Sequence, residues 1–181
     1  MGGTLPTRQR ATVLQSMKII GCGNPDRGDD RAGLLIAERL RQLGAEAEGH
    51  TGDSLALLER WISTDDVILL DAVVTGAPPG TLSVWELRPG ESNLPKIRGG
   101  AAVSSHGFDI AKAIELARAL GKLPVRLRIY GIEGKNFERG VEVSREVAEA
   151  VESLVKQIAA EVNSSSTLSR RRFPALDRPR G

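Results

Sequence analysis

Aromatic residues are scarce in this chain, at 3% of 181 positions. Its core must therefore be built from Leu, Val, Ile and Ala. There is one cysteine, Cys22, which excludes an intrachain disulfide and fits a reducing compartment. No apolar run approaches the length of a membrane span, and no apolar signal segment opens the chain. These absences lead us to expect a soluble, cytoplasmic protein with no membrane partner. One-signed charge is lacking too, and the formal net of +2 hides an asymmetry. The ends 163–181 and 1–16 carry +4 and +2, which leaves 17–162 at about −4. A mildly acidic body is a poor nucleic-acid ligand, so no nucleic-acid partner is expected.

The length suits one ordinary domain. Residues 1–16 read as a disordered arm, and Met17 is a candidate start. Residues 163–181, with Ser164-Ser165-Ser166 and Arg170-Arg171-Arg172, read as a disordered tail. Between them, strand and helix patterns alternate over 17–162. A short apolar strand, Met17–Cys22, leads into a helix over 28–43, which Gly44 closes. A weaker strand over 45–50 precedes a short helix, Ser54–Trp61, capped by Asp53 or Ser54.

The strongest strand pattern lies in 66–74, where Val67-Ile68-Leu69-Leu70 runs into Asp71. A half-exposed strand over 80–87 follows after the turn Gly76-Ala77-Pro78-Pro79-Gly80. So short a connection predicts antiparallel pairing with the preceding strand. Residues 88–103 read as a long loop, of the kind that is often functional. A helix over 108–120 ends at Gly121, a strand covers 125–130, and a helix covers 143–162. The expected fold is an α/β three-layer sandwich. Its sheet has about five strands, mostly parallel with one antiparallel, and helices on both faces.

The most informative stretch is Ile19-Ile20-Gly21-Cys22-Gly23-Asn24-Pro25-Asp26-Arg27-Gly28-Asp29-Asp30-Arg31-Ala32-Gly33. A Gly-rich turn between a strand and a helix is a ready anion site, because unpaired N–H groups and the helix dipole favour negative charge. Here Asp29 and Asp30 occupy that position, so a phosphate is repelled and a cation attracted. In an open parallel sheet, ligands collect at the carboxyl ends of strands. Asp30 follows the first strand, Asp71 ends the strongest one, and His106 falls in the loop before a helix. Two carboxylates and an imidazole suit nickel, zinc or a similar divalent ion and leave coordination positions open. Asp29 reads as a cap rather than a ligand. Ser104 and Ser105 read as N-caps of the helix that follows, and Cys22 as a small buried side chain.

The Gly21-x-Gly23-Asn24 turn leading to Gly28-Asp29-Asp30, the Leu70-Asp71-Ala72 strand end and Ser105-His106 together resemble the hydrogenase maturation endopeptidases. The resemblance covers roughly 17–162. It implies that Asp30, Asp71 and His106 form a metal-binding catalytic triad. It also implies the substrate: a nickel-loaded precursor of a nickel–iron hydrogenase large subunit, trimmed of its C-terminal peptide once nickel is in place. Nickel would then arrive with the precursor, and the enzyme is expected to act as a monomer. Arg31 stands where many members of that family have Gly, and it places a cation beside the site if it points inward.

Metal-assisted hydrolysis needs neither a Ser nor a Cys nucleophile, since the metal polarises the scissile carbonyl or activates a water. Two other readings stay open. A nucleotide-binding module would use Gly21-x-Gly23 as the start of a phosphate loop and Glu48 as its ribose partner, although position 26 is Asp rather than Gly. A non-catalytic maturation chaperone on the same fold would bind the large subunit without cutting it.

Overall fold

The computed structural model describes residues 17–90 and 105–172, with side chains described over 17–90 and 110–164. Five strands form one sheet in the order β2-β1-β3-β5-β4. They are β1 (Met17–Cys22), β2 (Ala47–His50), β3 (Asp66–Val73), β4 (Leu82–Leu87) and β5 (Arg126–Glu133). The pairs β1–β2, β1–β3 and β3–β5 are parallel, and β4–β5 is antiparallel. The helices are α1 (Ala32–Gln42), α2 (Ser54–Trp61), α3 (Ser105–Ala119) and α4 (Arg145–Arg172). This is the three-layer α/β sandwich that the alternation of patterns predicts.

Burial on both faces explains the apolar strands. Ile68, Leu70 and Ala72 of β3 pack with Ile36, Leu40, Val151 and Leu154 under α1 and α4. Val67 and Leu69 face the other way, onto Leu57, Trp61, Ile110 and Ile114 of α2 and α3. Alternation in a central strand thus separates two cores rather than core from solvent. Among the described residues, no helix is long and apolar enough to cross a membrane.

Helix ends follow their local chemistry. Gly44 takes φ 88° after α1, its N–H donating to Arg41 O at 3.0 Å, while Ala45 N–H donates to Leu40 O at 3.0 Å. That reciprocal pattern closes a helix on a left-handed residue, and Gly121 repeats it after α3. Asp53 caps α2, its Oδ1 accepting from Leu55 N–H at 3.0 Å and Ala56 N–H at 2.9 Å.

Four expectations need correction. Residues 28–43 are not one helix: Gly28–Arg31 forms a 3-10 turn, and α1 begins only at Ala32. The strand preceding β4 in sequence is not its partner. β5 lies between β3 and β4, because the connection after β3 passes over the end of β5. There Gly80 N–H donates to Glu133 O at 2.8 Å and Glu133 N–H to Thr81 O at 2.9 Å. His106 and Ser105 lie inside the first turn of α3 rather than in a loop and at a cap. Finally, the last helix is longer than the 143–162 expected: α4 begins at Arg145 and runs to Arg172. Ser104 and most of the loop 88–103 fall outside the described residues.

Charged residues at the amino edge of the sheet are paired. Arg128, 3% exposed, meets Asp66 Oδ1 at 3.0 Å and also bonds Glu161. Burial disfavours its charged form, but the bonds and charges of Asp66 and Glu161 outweigh that, and its pKa moves up. On β4, hydrogen bonds from Arg88 and then Arg126 hold the Glu86 carboxyl below the ordinary carboxylate range. A carboxyl whose folded pKa is depressed stabilises the fold above its unfolded pKa and loses that contribution as pH falls through the folded one. The group is about a third exposed, so solvent screening limits the effect. Glu86→Gln is expected to lower stability by about 0.5 kcal/mol near neutral pH. The difference from wild type should close as the pH falls below the ordinary carboxylate range. Urea melts across that pH range check it, and a constant difference would refute the assignment.

Candidate functional site

The sheet order places β2 and β3 on opposite sides of β1. The connections leaving β1, toward β2, and β3, toward β4, therefore diverge, and a crevice opens between the carboxyl ends of β1 and β3. Three glycines bring the chain after β1 down onto that crevice. A Cβ on Gly21 would lie 2.0 Å from Gly33 O, and one on Gly33 would lie 2.3 Å from both Cys22 O and Leu70 O. The start of α1 thus rests directly on the backbone of β1 and β3. Gly23, at φ 149°, lets Asp30 O come within 1.9 Å of where its Cβ would be, and Asn24 N–H donates to that oxygen at 3.2 Å. The glycines read in the sequence as a turn are contact surfaces as well.

Two of the three expected acids and bases are buried on elements that this packing brings together. Asp30, in the 3-10 turn, is 0% exposed, and Asp71, in β3, is 2% exposed. The turn packs against β3, so the elements that carry the two aspartates touch beside the β1/β3 crevice. Asp71 Oδ1 accepts the N–H of Ala72 at 2.9 Å. His106 reaches the same edge through the topology. α3 ends at Ala119, shortly before β5 begins at Arg126 at the amino edge, so its first turn lies toward the carboxyl edge. The His106 side chain lies outside the described residues, as do its distances. Among the described side chains, no three His, Cys, Asp or Glu form a group that could hold a metal.

A row of residues crosses the α2/α3 face of the sheet at this edge. Cys22 pairs with His50, and Asp71 pairs with Gly131, which pairs with Ser83. The register Gly21↔Leu70, continued by one residue, sets Cys22 beside Asp71. The Trp85 ring leans over Gly131, where a Cβ would meet Cζ3 at 2.9 Å, and so forms a wall next to Asp71. His50 Nε2 lies 3.2 Å from Asp53 O, which places the ring proton on that nitrogen. Sequence patterning gave no signal for Trp85, Gly131 or His50, because register across strands is not encoded locally.

Asp29 is neither ligand nor helix cap. Its Oδ1 accepts from Ser144 N–H at 2.7 Å. Its Oδ2 accepts from Lys135 N–H at 2.7 Å, Asn136 N–H at 2.8 Å and Ser144 Oγ at 3.0 Å. The carboxylate therefore ties the turn to the loop 134–144. Glu133 does similar work nearby, accepting from Thr75 N–H and Oγ1 at 2.8 Å and from Gly76 N–H at 2.9 Å. Arg31 keeps access to solvent, whereas the two aspartates before it are buried. Glu48, the ribose partner of the nucleotide reading, instead pairs with Lys18 at 3.0 Å and Arg60 at 2.7 Å. That engagement, with the buried acid pair, removes the support for a phosphate-binding loop.

Fold and crevice together define an α/β domain with buried aspartates on the turn and the strand that flank the topological switch of its sheet. The chain belongs to the hydrogenase maturation protease family, whose model (HycI) matches residues 48–161. That span includes Asp71 and His106 and begins after Asp30. The chain is 27% identical over 145 residues to "Hydrogenase expression/formation protein HoxM" of Cupriavidus necator, covering 76% of this chain and 69% of that protein. It is 26% identical over 120 residues to "Hydrogenase expression/formation protein HupD" of Thiocapsa roseopersicina, covering 64% of this chain and about half of that one, 52%. The fold resembles that of the hydrogenase maturating endopeptidase HybD from E. coli, with TM-score 0.67 and 24% identity, over 82% of this chain and 93% of that one. It also resembles the [NiFe] hydrogenase maturation protease HycI from Thermococcus kodakarensis KOD1, with TM-score 0.60 and 24% identity, over 81% and 91%.

Proposed function

We propose that this protein is a cytoplasmic, monomeric endopeptidase that removes the C-terminal extension from the precursor of a nickel–iron hydrogenase large subunit. In this reading it acts after nickel insertion, and Asp30, Asp71 and His106 engage the nickel that the precursor carries. The observation that supports the reading is the burial of Asp30 and Asp71 on a turn and a strand that pack against each other beside the β1/β3 crevice. Family membership supplies the reaction class.

The donor set fits that cargo. Two carboxylates and an imidazole are a borderline oxygen and nitrogen set, suited to a divalent ion that keeps ligands of its own. Nickel held by Asp30, Asp71 and His106 would polarise the scissile carbonyl or lower the pKa of a water. The protein's own part is electrostatic and geometric. Asp30 and Asp71 bring negative charge to a water-poor crevice, where charges interact strongly. The bond from Ala72 N–H fixes the plane of the Asp71 carboxylate. Cys22 is 1% exposed in the core between β1 and α2, which is a poor place for a nucleophile.

Intact-mass measurement of a nickel-loaded precursor, incubated with the full chain beside a metal-free control, tests the reading. Loss of a C-terminal peptide from the loaded form alone is the expected result. Binding of a matched, loaded precursor without cleavage would replace the peptidase by a maturation chaperone.

A further inference from the structure

We infer that Asp29 is a positioning residue, whose bonds to the loop 134–144 aim the neighbouring Asp30 into the β1/β3 crevice. The inference rests on the proposed role of Asp30 and assigns a second task to the acid pair.

The argument starts from the turn itself. A 3-10 helix has about three residues per turn, so consecutive side chains point about 120° apart. Asp29 and Asp30 therefore cannot face the same way, and fixing one direction fixes the other. The turn spans only Gly28–Arg31, and Arg27 makes no side-chain cap bond to it. So short a helix has little stability of its own and takes its orientation from what it touches.

Asp29 supplies that contact. Four donors converge on its carboxylate: the N–H groups of Lys135, Asn136 and Ser144, and Ser144 Oγ. The backbone adds to the clamp, with Asp29 N–H donating to Asn136 O at 2.8 Å and Gly140 N–H donating to Asp26 O at 2.9 Å. Arg27 Nε donates to Phe137 O at 2.9 Å. Gly28 lets the two segments touch, since a Cβ there would lie 2.4 Å from Asn136 O. Charge follows geometry. Two adjacent buried carboxylates repel, but three N–H dipoles and a hydroxyl compensate the charge on Asp29.

Asp29→Asn keeps the shape but replaces one acceptor oxygen by an NH2, which opposes the converging donors. Ser144→Ala is the milder variant, removing one donor and leaving the three N–H bonds. For both full-length variants and wild type, we would measure Ni2+ affinity by calorimetry, kcat and KM on nickel-loaded precursor, and melting temperature. Asp29→Asn is expected to weaken Ni2+ binding and lower kcat by about 10- to 100-fold, the range for outer partners of metal ligands, with KM within about twofold. Ser144→Ala should fall between it and wild type. If both variants lose melting temperature while kcat per folded molecule and Ni2+ affinity hold, Asp29 is structural only and the inference is overturned. If wild type binds Ni2+ in an Asp29-dependent way yet cleaves no precursor, Asp29 keeps its role and the peptidase reading fails. If wild type neither binds Ni2+ nor cleaves, Asp30 has no cation to meet and both fall.

Discussion

Asp71→Asn is expected to slow cleavage of a nickel-loaded precursor by at least about 100-fold while leaving the fold intact. The substitution is nearly isosteric, and its side-chain oxygen can still accept the N–H of Ala72, the bond that Asp71 makes at 2.9 Å. What disappears is one negative charge at a site 2% exposed, beside the start of α1. In such a crevice a charge aimed at a cation acts through few intervening waters, so its loss falls on the reacting state more than on folding. Removal of a mere outer partner of a metal site costs about 10- to 100-fold, and a direct ligand should cost at least the upper figure. Mass-resolved time courses give the rate, and a melting temperature within a few degrees of wild type shows that the fold survives. A folded Asp71→Asn protein that cuts within threefold of wild type would remove Asp71 from the chemistry.

The largest effect on stability is expected at Gly33. A Cβ there would sit 2.3 Å from two carbonyl oxygens, Cys22 O and Leu70 O, both of them backbone in adjacent parallel strands. A flexible side chain could swing aside, but these carbonyls are held by the sheet. Gly33→Ala must therefore lift α1 off the sheet or bend β1 away from β3. Overpacking of this kind costs about 3 kcal/mol, the upper end of its usual range. Any lifting of α1 also moves the 3-10 turn, and Asp30 with it, so activity should fall in step with stability. Gly49→Ala in β2 is the matched control. Its Cβ would meet only the flexible Leu34 Cδ2, at 3.2 Å, and a change within about 1 kcal/mol is expected. Urea unfolding of both variants makes the comparison. A Gly33→Ala protein as stable as Gly49→Ala would mean that the interlock of α1 with the strands is not tight.

The parts of this fold that were legible are those that local patterns encode. Val67-Ile68-Leu69-Leu70 reads as a buried strand because a strand covered on both faces has no polar positions to interrupt it. The limits of α2 follow from the Asp53 cap, and the ends of α1 and α3 from Gly44 and Gly121. The acid pair after the Gly-Asn turn marked the site because it contradicts the anion preference of that turn. Asp71 stands out in the sequence as a charge directly after the most apolar run, Val67-Ile68-Leu69-Leu70. In contrast, the place of β4 could not be read from its short connection. The decisive bonds, Gly80 N–H to Glu133 O and Glu133 N–H to Thr81 O, join residues about fifty positions apart. The reading of Asp29 as a cap failed for the same reason, since all four of its donors come from the loop 134–144.

The sequence by itself determined which segments become strands and most of the helices, where α1 and α3 end, and that carboxylates rather than bare amides follow β1. These are matters of side-chain period, φ preference and charge, all settled within a few neighbouring residues. Tertiary structure alone decided that β5 separates β3 from β4, that the turn carrying Asp30 packs against the strand carrying Asp71, and that Asp29 binds a distant loop. Those outcomes depend on hydrogen bonds and backbone contacts between residues far apart in the chain. Such contacts acquire their energy only once the sheet has closed around them.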